Sequence, residues 1–279
     1  QSAYVNKLTA ALKVSFPEYI GVFSKITVKT SLSLLKRYPT PDAVLSARKS
    51  TVIKIIKNES CFGDKYAEEK YQKLIQAAES AKIFSCPVSS DAILIRSFIS
   101  FIKNYEKEMQ QLLRTIRQIL DEHPEKTFVK QIQLLESIKG CGFLSAVTLM
   151  CEIGDFSAFS SPKQLYAYFG LDPEVKQSGK FNGNDVKISK RGSRLARRVL
   201  HMMAVNNIAV SKNKVSKNPV MRSFYEKKCQ SKPKMVALGA VIHKLCNIIF
   251  AVLRDNKPFE IRTPEQHCSV YLTTQKSAA

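Results

Sequence analysis

The side chains best suited to chemistry gather in residues 170–194, GLDPEVKQSGKFNGNDVKISKRGSR. One small hydroxyl, Ser178, stands there beside Gly179, where the backbone bends freely and lets a bulky partner approach closely. Lys176, Lys180, Lys187, Lys190, Arg191 and Arg194 surround it in sequence, and after Asp172 the only nearby acids are Glu174 and Asp185. A hydroxyl set among cations can meet a phosphodiester without the repulsion that a second anion would bring. Taken alone, a Ser-Gly pair in a polar loop reads as an ordinary turn, and only the wider pattern favours the nucleophile. Asp172 and Glu174 could form a carboxylate pair for base or metal work. Because Asp-Pro initiates turns, they read as turn residues instead.

The elements that position this stretch can be read on either side of it. Asn182-Gly183 is a short turn signal and predicts a small hairpin over residues 180–188 that holds the serine against a basic surface. Ser161-Pro162-Lys163-Gln164 opens a short helix by a capping box, with proline at its first position. Tyr166, Tyr168 and Phe169 lie beside Leu165 and read as core, and Gly170 stops the helix. After the loop, Ser193 caps a helix on which Arg194, Arg197, Arg198 and His201 share one face. Leu195, Val199, Met202 and Met203 take the other side, which predicts a guanidinium stripe open to a ligand. Upstream, an apolar stripe over 134–138 stops at Gly140-Cys141-Gly142, and a second helix resumes over 143–153. This fits a helix-hairpin-helix, in which Gly140 and Gly142 let a DNA backbone come close and free amides take a phosphate. It fits a tight helix connection equally well.

The charge of the whole chain favours a polyanionic partner. Lys plus Arg number 44 against 23 Asp plus Glu, a net +21 over 279 residues. From Lys176 to Lys234 there are sixteen cations and two acids, Asp185 and Glu226. That asymmetry points to phosphate contacts, which position a nucleic acid without reading its sequence. An anionic membrane would also attract such a chain, but no signal peptide, lipid anchor or clear spanning helix is legible. The best spanning candidate, residues 235–253, carries His243, Lys244 and Asn247 in its middle and reads as a buried core helix. Seven scattered cysteines with no Cys-x-x-Cys pair fit reduced thiols and a cytoplasmic setting. The histidines, His123, His201, His243 and His267, form no ligand pair either, so no metal site built wholly within this chain is expected.

The remaining organisation is helical. Residues 1–88 show short elements divided by Pro17, by Tyr38-Pro39-Thr40-Pro41 and by Cys61-Phe62-Gly63-Asp64, with packing stripes such as Val5, Leu8 and Leu12. A long helix follows from Ser89 to about Glu122. Ile95, Phe98, Ile102, Tyr105, Met109, Leu112, Ile116 and Ile119 form a heptad seam along it. The seam requires either another helix of the same chain or the same helix of a second subunit, and the lack of an equally long seam upstream favours the latter. The expected fold class is mostly α. It comprises a helical connector (1–88), a coiled-coil helix (89–125), a helical DNA-binding domain (126–260) containing the helix-hairpin-helix and a short loop or hairpin around Ser178, and a flexible tail (261–279).

The order GLDP, QSG and KISKRGS, preceded by Gly-x-Gly between helices and followed by Lys244-Leu245 and Asp255-Asn256-Lys257-Pro258-Phe259, resembles the C-terminal domain of the insertion sequence 110 family of transposases. The resemblance implies that Ser178 is the nucleophile of an RNA-guided DNA recombinase, joined transiently to DNA as a phosphoserine. It also implies a noncoding bridge RNA partner and homo-oligomerisation through the coiled coil. Family members begin with an RNase H-like domain whose Asp, Glu, Asp, Asp set binds magnesium, and no strand-rich segment with such acids is present. The chain opens on Gln1 and is expected to be a fragment or processed product, inactive alone, with magnesium supplied by the missing domain. The competing expectation is a noncatalytic nucleic-acid-binding and dimerisation module.

Overall fold

Proline, glycine and hydroxyl side chains punctuate a chain that is otherwise helical, as its periodicity predicts. The computed structural model describes residues 1–84, 89–174, 177–178, 181–182, 187–211 and 215–269, and the chain divides into two units, residues 1–116 and 117–279.

In the first unit, α1 (Ser2–Ser15) stops ahead of Pro17, which opens a 3-10 turn. The next helix, α2 (Lys29–Arg37), ends before Pro39. Then α3 (Pro41–Leu45) starts with proline at its first turn and with Thr40 Oγ1 accepting from the Ala43 amide at 3.3 Å. After α4 (Lys49–Ser60), Cys61 turns the chain in the left-handed region at φ 56°, and α5 (Asp64–Phe84) follows. Leu8, Leu12, Leu32, Leu35, Val44 and Leu74 build the core, so the predicted stripes face inward. Tyr19 is buried among them and donates its hydroxyl to the Ser31 carbonyl at 3.1 Å; burial pushes its phenol well above the usual range.

The long helix, α6, spans Ser89–Asp121, 33 residues and about 50 Å. Its seam has two fates. Ile95 and Ile102 are buried in the first unit's own core and Phe98 packs against it, while Tyr4 lies against Phe101 and Tyr105 with ring centroids 4.8 and 5.7 Å apart. Met109, Leu112 and Ile119 are instead 49, 63 and 53% exposed. The near half of the seam is thus satisfied within the chain, and only the far half is open.

The second unit contains α7 (Thr127–Glu136), α8 (Phe143–Ile153), α9 (Pro162–Tyr168), α10 (Arg194–Ile208), α11 (Pro219–Cys229) and α12 (Lys234–Asp255). By length and composition α12 could cross a membrane, but it is the central core helix of this unit. Val241, Leu245, Cys246 and Ile249 are fully buried, while His243 and Asn247 face outward and Lys244 lies over the Phe224 ring at 4.4 Å. Three helix starts are capped by side chains, and those at Ser161 and Ser193 fall where the sequence places them. Ser161 accepts from Gln164 N, Ser193 from Ala196 N and Asn218 from Met221 N. The reciprocal half of the α9 capping box comes from one residue earlier, since Gln164 Oε1 accepts from Ser160 N. Near the C-terminus, Thr263 and Gln266 exchange side-chain bonds with each other's amides and residues 264–269 are helical. Residues 270–279 lie outside the described residues.

Burial pushes the thiols of Cys141 and Cys246 up to about 12, whereas Cys61, Cys151 and Cys268 are exposed. Native protein treated with an alkylating agent is therefore expected to label the exposed three first, and Cys141 and Cys246 only once unfolded. A thiol raised from 9.0 in the unfolded chain to about 12 in the fold favours the native state below pH 9 and loses that contribution as pH climbs towards 12. The urea midpoint should accordingly fall above pH 9.

Candidate nucleic-acid interface

Between α9 and α10 the chain leaves the helical framework and returns to it as a two-armed arch. Gly170 turns the chain out at φ +66°. The outgoing and returning arms then pair: Lys190 N donates to Gly170 O (2.9 Å), Ser189 N to Asp172 O (2.8 Å) and Glu174 N to Lys187 O (2.7 Å), with Pro173 opposite Ile188. Further out, β1 (Gln177–Ser178) pairs antiparallel with β2 (Phe181–Asn182), placing Ser178 opposite Phe181. This corrects the register read from the Asn-Gly signal. Asn182 is a ladder residue, and the serine is in the outgoing strand and not ahead of a hairpin that starts at Lys180. Lys176, Gly179, Lys180 and residues 183–186 lie outside the described residues, as does the Ser178 side chain. Asp172 is also more than a turn residue, because its Oδ1 accepts from Ser189 Oγ at 2.6 Å and ties the two arms together.

The base of the arch is a crossing of two backbones. A Cβ on Gly192 would overlap the Tyr168 carbonyl oxygen and come within 2.7 Å of the Phe169 carbonyl carbon. A Cβ on Gly170 would come within 2.6 Å of Arg191 N, so both glycines are required by close approach. Arg197 closes this crossing. One guanidinium nitrogen, Nη1, donates to the carbonyls of Phe169 (3.0 Å), Lys190 (3.3 Å) and Gly192 (2.9 Å). Arg197 thus differs from its predicted place in a free phosphate-binding stripe, since it is half-buried and engaged with backbone.

The faces of α10 differ from the sequence expectation for a related reason. Ala196, Leu200, Met203, Ala204 and Asn207 are buried, while Leu195 and Met202 are 55 and 51% exposed. Two small alanines and an asparagine line the inner face, a signal that a search for large apolar residues passes over. The cations left exposed are Lys187, Lys190, Arg191, Arg194 and Arg198, grouped at the returning arm and the first turn of α10. Lys190 holds a left-handed conformation at φ 56° within the crossing. Of the aromatics on and after α9, Phe169 is fully buried, but Tyr168 is 48% exposed and donates to Glu152 O at 3.1 Å.

The turn between α7 and α8 has an internal reason for one of its glycines. Gly140 adopts φ +82°, and a Cβ there would lie 2.9 Å from Asn207 Nδ2 and 3.2 Å from Met203 O on α10. Asn207 Nδ2 donates to Lys139 O (2.6 Å) and Met203 O (2.9 Å), and its Oδ1 accepts from Asn218 Nδ2 (2.9 Å). Gly140 therefore serves packing against α10. Gly142 opens α8 at φ −89° with nothing within 4 Å of an added Cβ, so this side of the turn is open. Asn207 and Asn218, which the sequence reading did not single out as a pair, lock the turn to α10 and α11. Among the described residues no His, Cys, Asp and Glu side chains gather in a group of three able to hold a metal ion.

Residues 132–226, from α7 into α11 and including the whole arch, match the model of the transposase IS116/IS110/IS902 family. This segment is similar to the transposase domain of that family. Over 165 residues the chain is 33% identical to a pilin gene-inverting protein of Moraxella lacunata, covering 59% of the chain and 49% of that relative. It is 23% identical over 233 residues to the insertion element IS110 uncharacterized 43.6 kDa protein of Streptomyces coelicolor, covering 83% and 53%. It is 24% identical over 236 residues to the insertion element IS900 uncharacterized 42 kDa protein of Mycobacterium paratuberculosis, covering 84% and 55%. The chain spans about half the length of the curated relatives it matches.

Proposed function

We propose that this chain supplies the serine nucleophile and much of the phosphate-binding surface of a DNA transposase. The observation that carries the reading is the coincidence of the transposase family match with an arch that bears Ser178 and whose returning arm carries Lys187, Lys190 and Arg191. In the reaction, Ser178 Oγ forms a bond to the phosphorus of a DNA phosphodiester and the bond to one deoxyribose oxygen breaks. The hydroxyl proton lost is balanced by the proton that the leaving sugar oxygen gains. The phosphoserine link keeps the bond energy for rejoining, and the exposed cations offset the charge that develops on the phosphoryl oxygens. Magnesium, where the reaction uses it, would share in offsetting that charge. A noncoding RNA that selects the DNA by base pairing completes the reading.

The test uses full-length protein, RNA, magnesium and labelled DNA, with the protein-linked label resolved on a denaturing gel and its peptide sequenced. Label on the peptide containing Ser178 supports the reading. DNA bound without any adduct leaves a noncatalytic binding and assembly module, a reading that the half-length coverage of the relatives also accommodates.

Self-association is assigned to the open far half of α6, where Met109, Leu112 and Ile119 present an apolar stripe. Leu112→Glu is expected to lower the mass measured by sedimentation equilibrium to that of a monomer. An unchanged mass would place the contact elsewhere.

A further inference from the structure

We propose that Arg197 is a positioning residue for Ser178, acting through the crossing at the base of the arch, and not a DNA contact. The inference rests on the transposase reading for its catalytic consequence, but its structural basis is independent of that reading. Three carbonyls converge on one nitrogen. Phe169 O belongs to the end of α9, Lys190 O to the returning arm and Gly192 O to the link into α10, so a single side chain gathers three segments that otherwise meet only by backbone contact. The Phe169 carbonyl in particular has few alternatives. Phe169 is fully buried, and the glycines on both sides of the crossing leave no space for a replacement side chain.

The geometry of the outer arch inherits this arrangement. Lys190, held at φ 56° with its carbonyl on Arg197, donates its amide to Gly170 O and so begins the arm pairing that continues through Asp172 with Ser189 and Glu174 with Lys187. Ser178 lies four residues beyond Glu174 on the same arm. A rotation at the crossing is therefore carried outward to the serine, and a displacement of about 1 Å at a reacting atom can cost on the order of 100-fold in rate. Arg198, one residue on, is exposed and makes no hydrogen bond or ion pair among the described residues; it forms the natural contrast.

Two measurements test this. In the chain as it stands, amide hydrogen exchange at Glu174, Ser189 and Lys190 should accelerate in Arg197→Ala and stay unchanged in Arg198→Ala. In full-length protein at saturating DNA, Arg197→Ala should slow single-turnover adduct formation roughly 10- to 100-fold with DNA affinity within about threefold of wild type. Arg198→Ala should instead weaken DNA binding and lower its salt dependence. Arg197→Lys, whose ammonium has three donors but a shorter reach, should recover part of the lost rate. Unchanged arm exchange in Arg197→Ala, or an affinity loss like that of Arg198→Ala with an intact saturated rate, would overturn the proposal. Adduct persisting in Ser178→Ala would remove the catalytic reading instead, while the exchange result would still decide whether Arg197 holds the arch.

Discussion

Ser178→Ala in the full-length protein is expected to abolish the covalent DNA adduct while DNA affinity stays within about twofold of wild type. The substitution deletes one oxygen from a loop whose fold depends on backbone pairing. Pairing of Ser178 with Phe181 and the inner rungs from Gly170 to Glu174 use amides and carbonyls that alanine retains. The cations at Lys187, Lys190, Arg191, Arg194 and Arg198 are untouched, so the salt dependence of binding should persist. The loss of strand joining should be at least roughly 10⁴-fold, because removal of a nucleophile leaves only binding and electrostatic contributions. Affinity falling in parallel with adduct formation would indicate that the hydroxyl helps hold the arch or the DNA, and the nucleophile assignment would lose its support.

The second large effect concerns stability. Gly192→Ala must displace backbone, since the new methyl would overlap Tyr168 O and lie 2.7 Å from the Phe169 carbonyl carbon and 2.8 Å from Gly170 N. None of these atoms is the far end of a flexible side chain. The arms would have to separate, breaking the Arg197 bonds to Phe169 O and Gly192 O, with a loss of about 2–4 kcal/mol in urea unfolding. Gly142→Ala is the internal control. Its φ of −89° suits any residue and its surroundings are open, so the change should be within about 0.5 kcal/mol. Equal midpoints for the two variants would refute the close-packed crossing.

Much of the framework was legible because helix boundaries are written in local chemistry. Pro17 and the Tyr38-Pro39-Thr40-Pro41 stretch divide elements as expected, Ser161 and Ser193 each precede a helix by one residue, and α6 begins at Ser89 and ends within one residue of its expected limit. The mostly helical class follows directly. What sequence reasoning misplaced depends on contacts between segments. Arg197 looks like its charged neighbours on a helical wheel, and only the fold brings Phe169 O, Lys190 O and Gly192 O to it. Gly140 reads as a DNA-approach glycine until Asn207 of α10 is found beside it. The reading of Ser178 as a nucleophile comes from the order of motifs around it and not from its own surroundings, since a hydroxyl next to glycine carries little signal alone.

The crossing at Gly170 and Gly192 separates the length of the arch from the architecture that bears it. A loop whose ends are already fixed side by side adds only about 0.6 kcal/mol of closure entropy for each doubling of its length. Residues inserted beyond the Glu174 and Lys187 rung would lengthen the reach of Ser178 without moving α9 or α10. The distance over which this protein can present its hydroxyl is thus a free design variable, set by the outer loop alone.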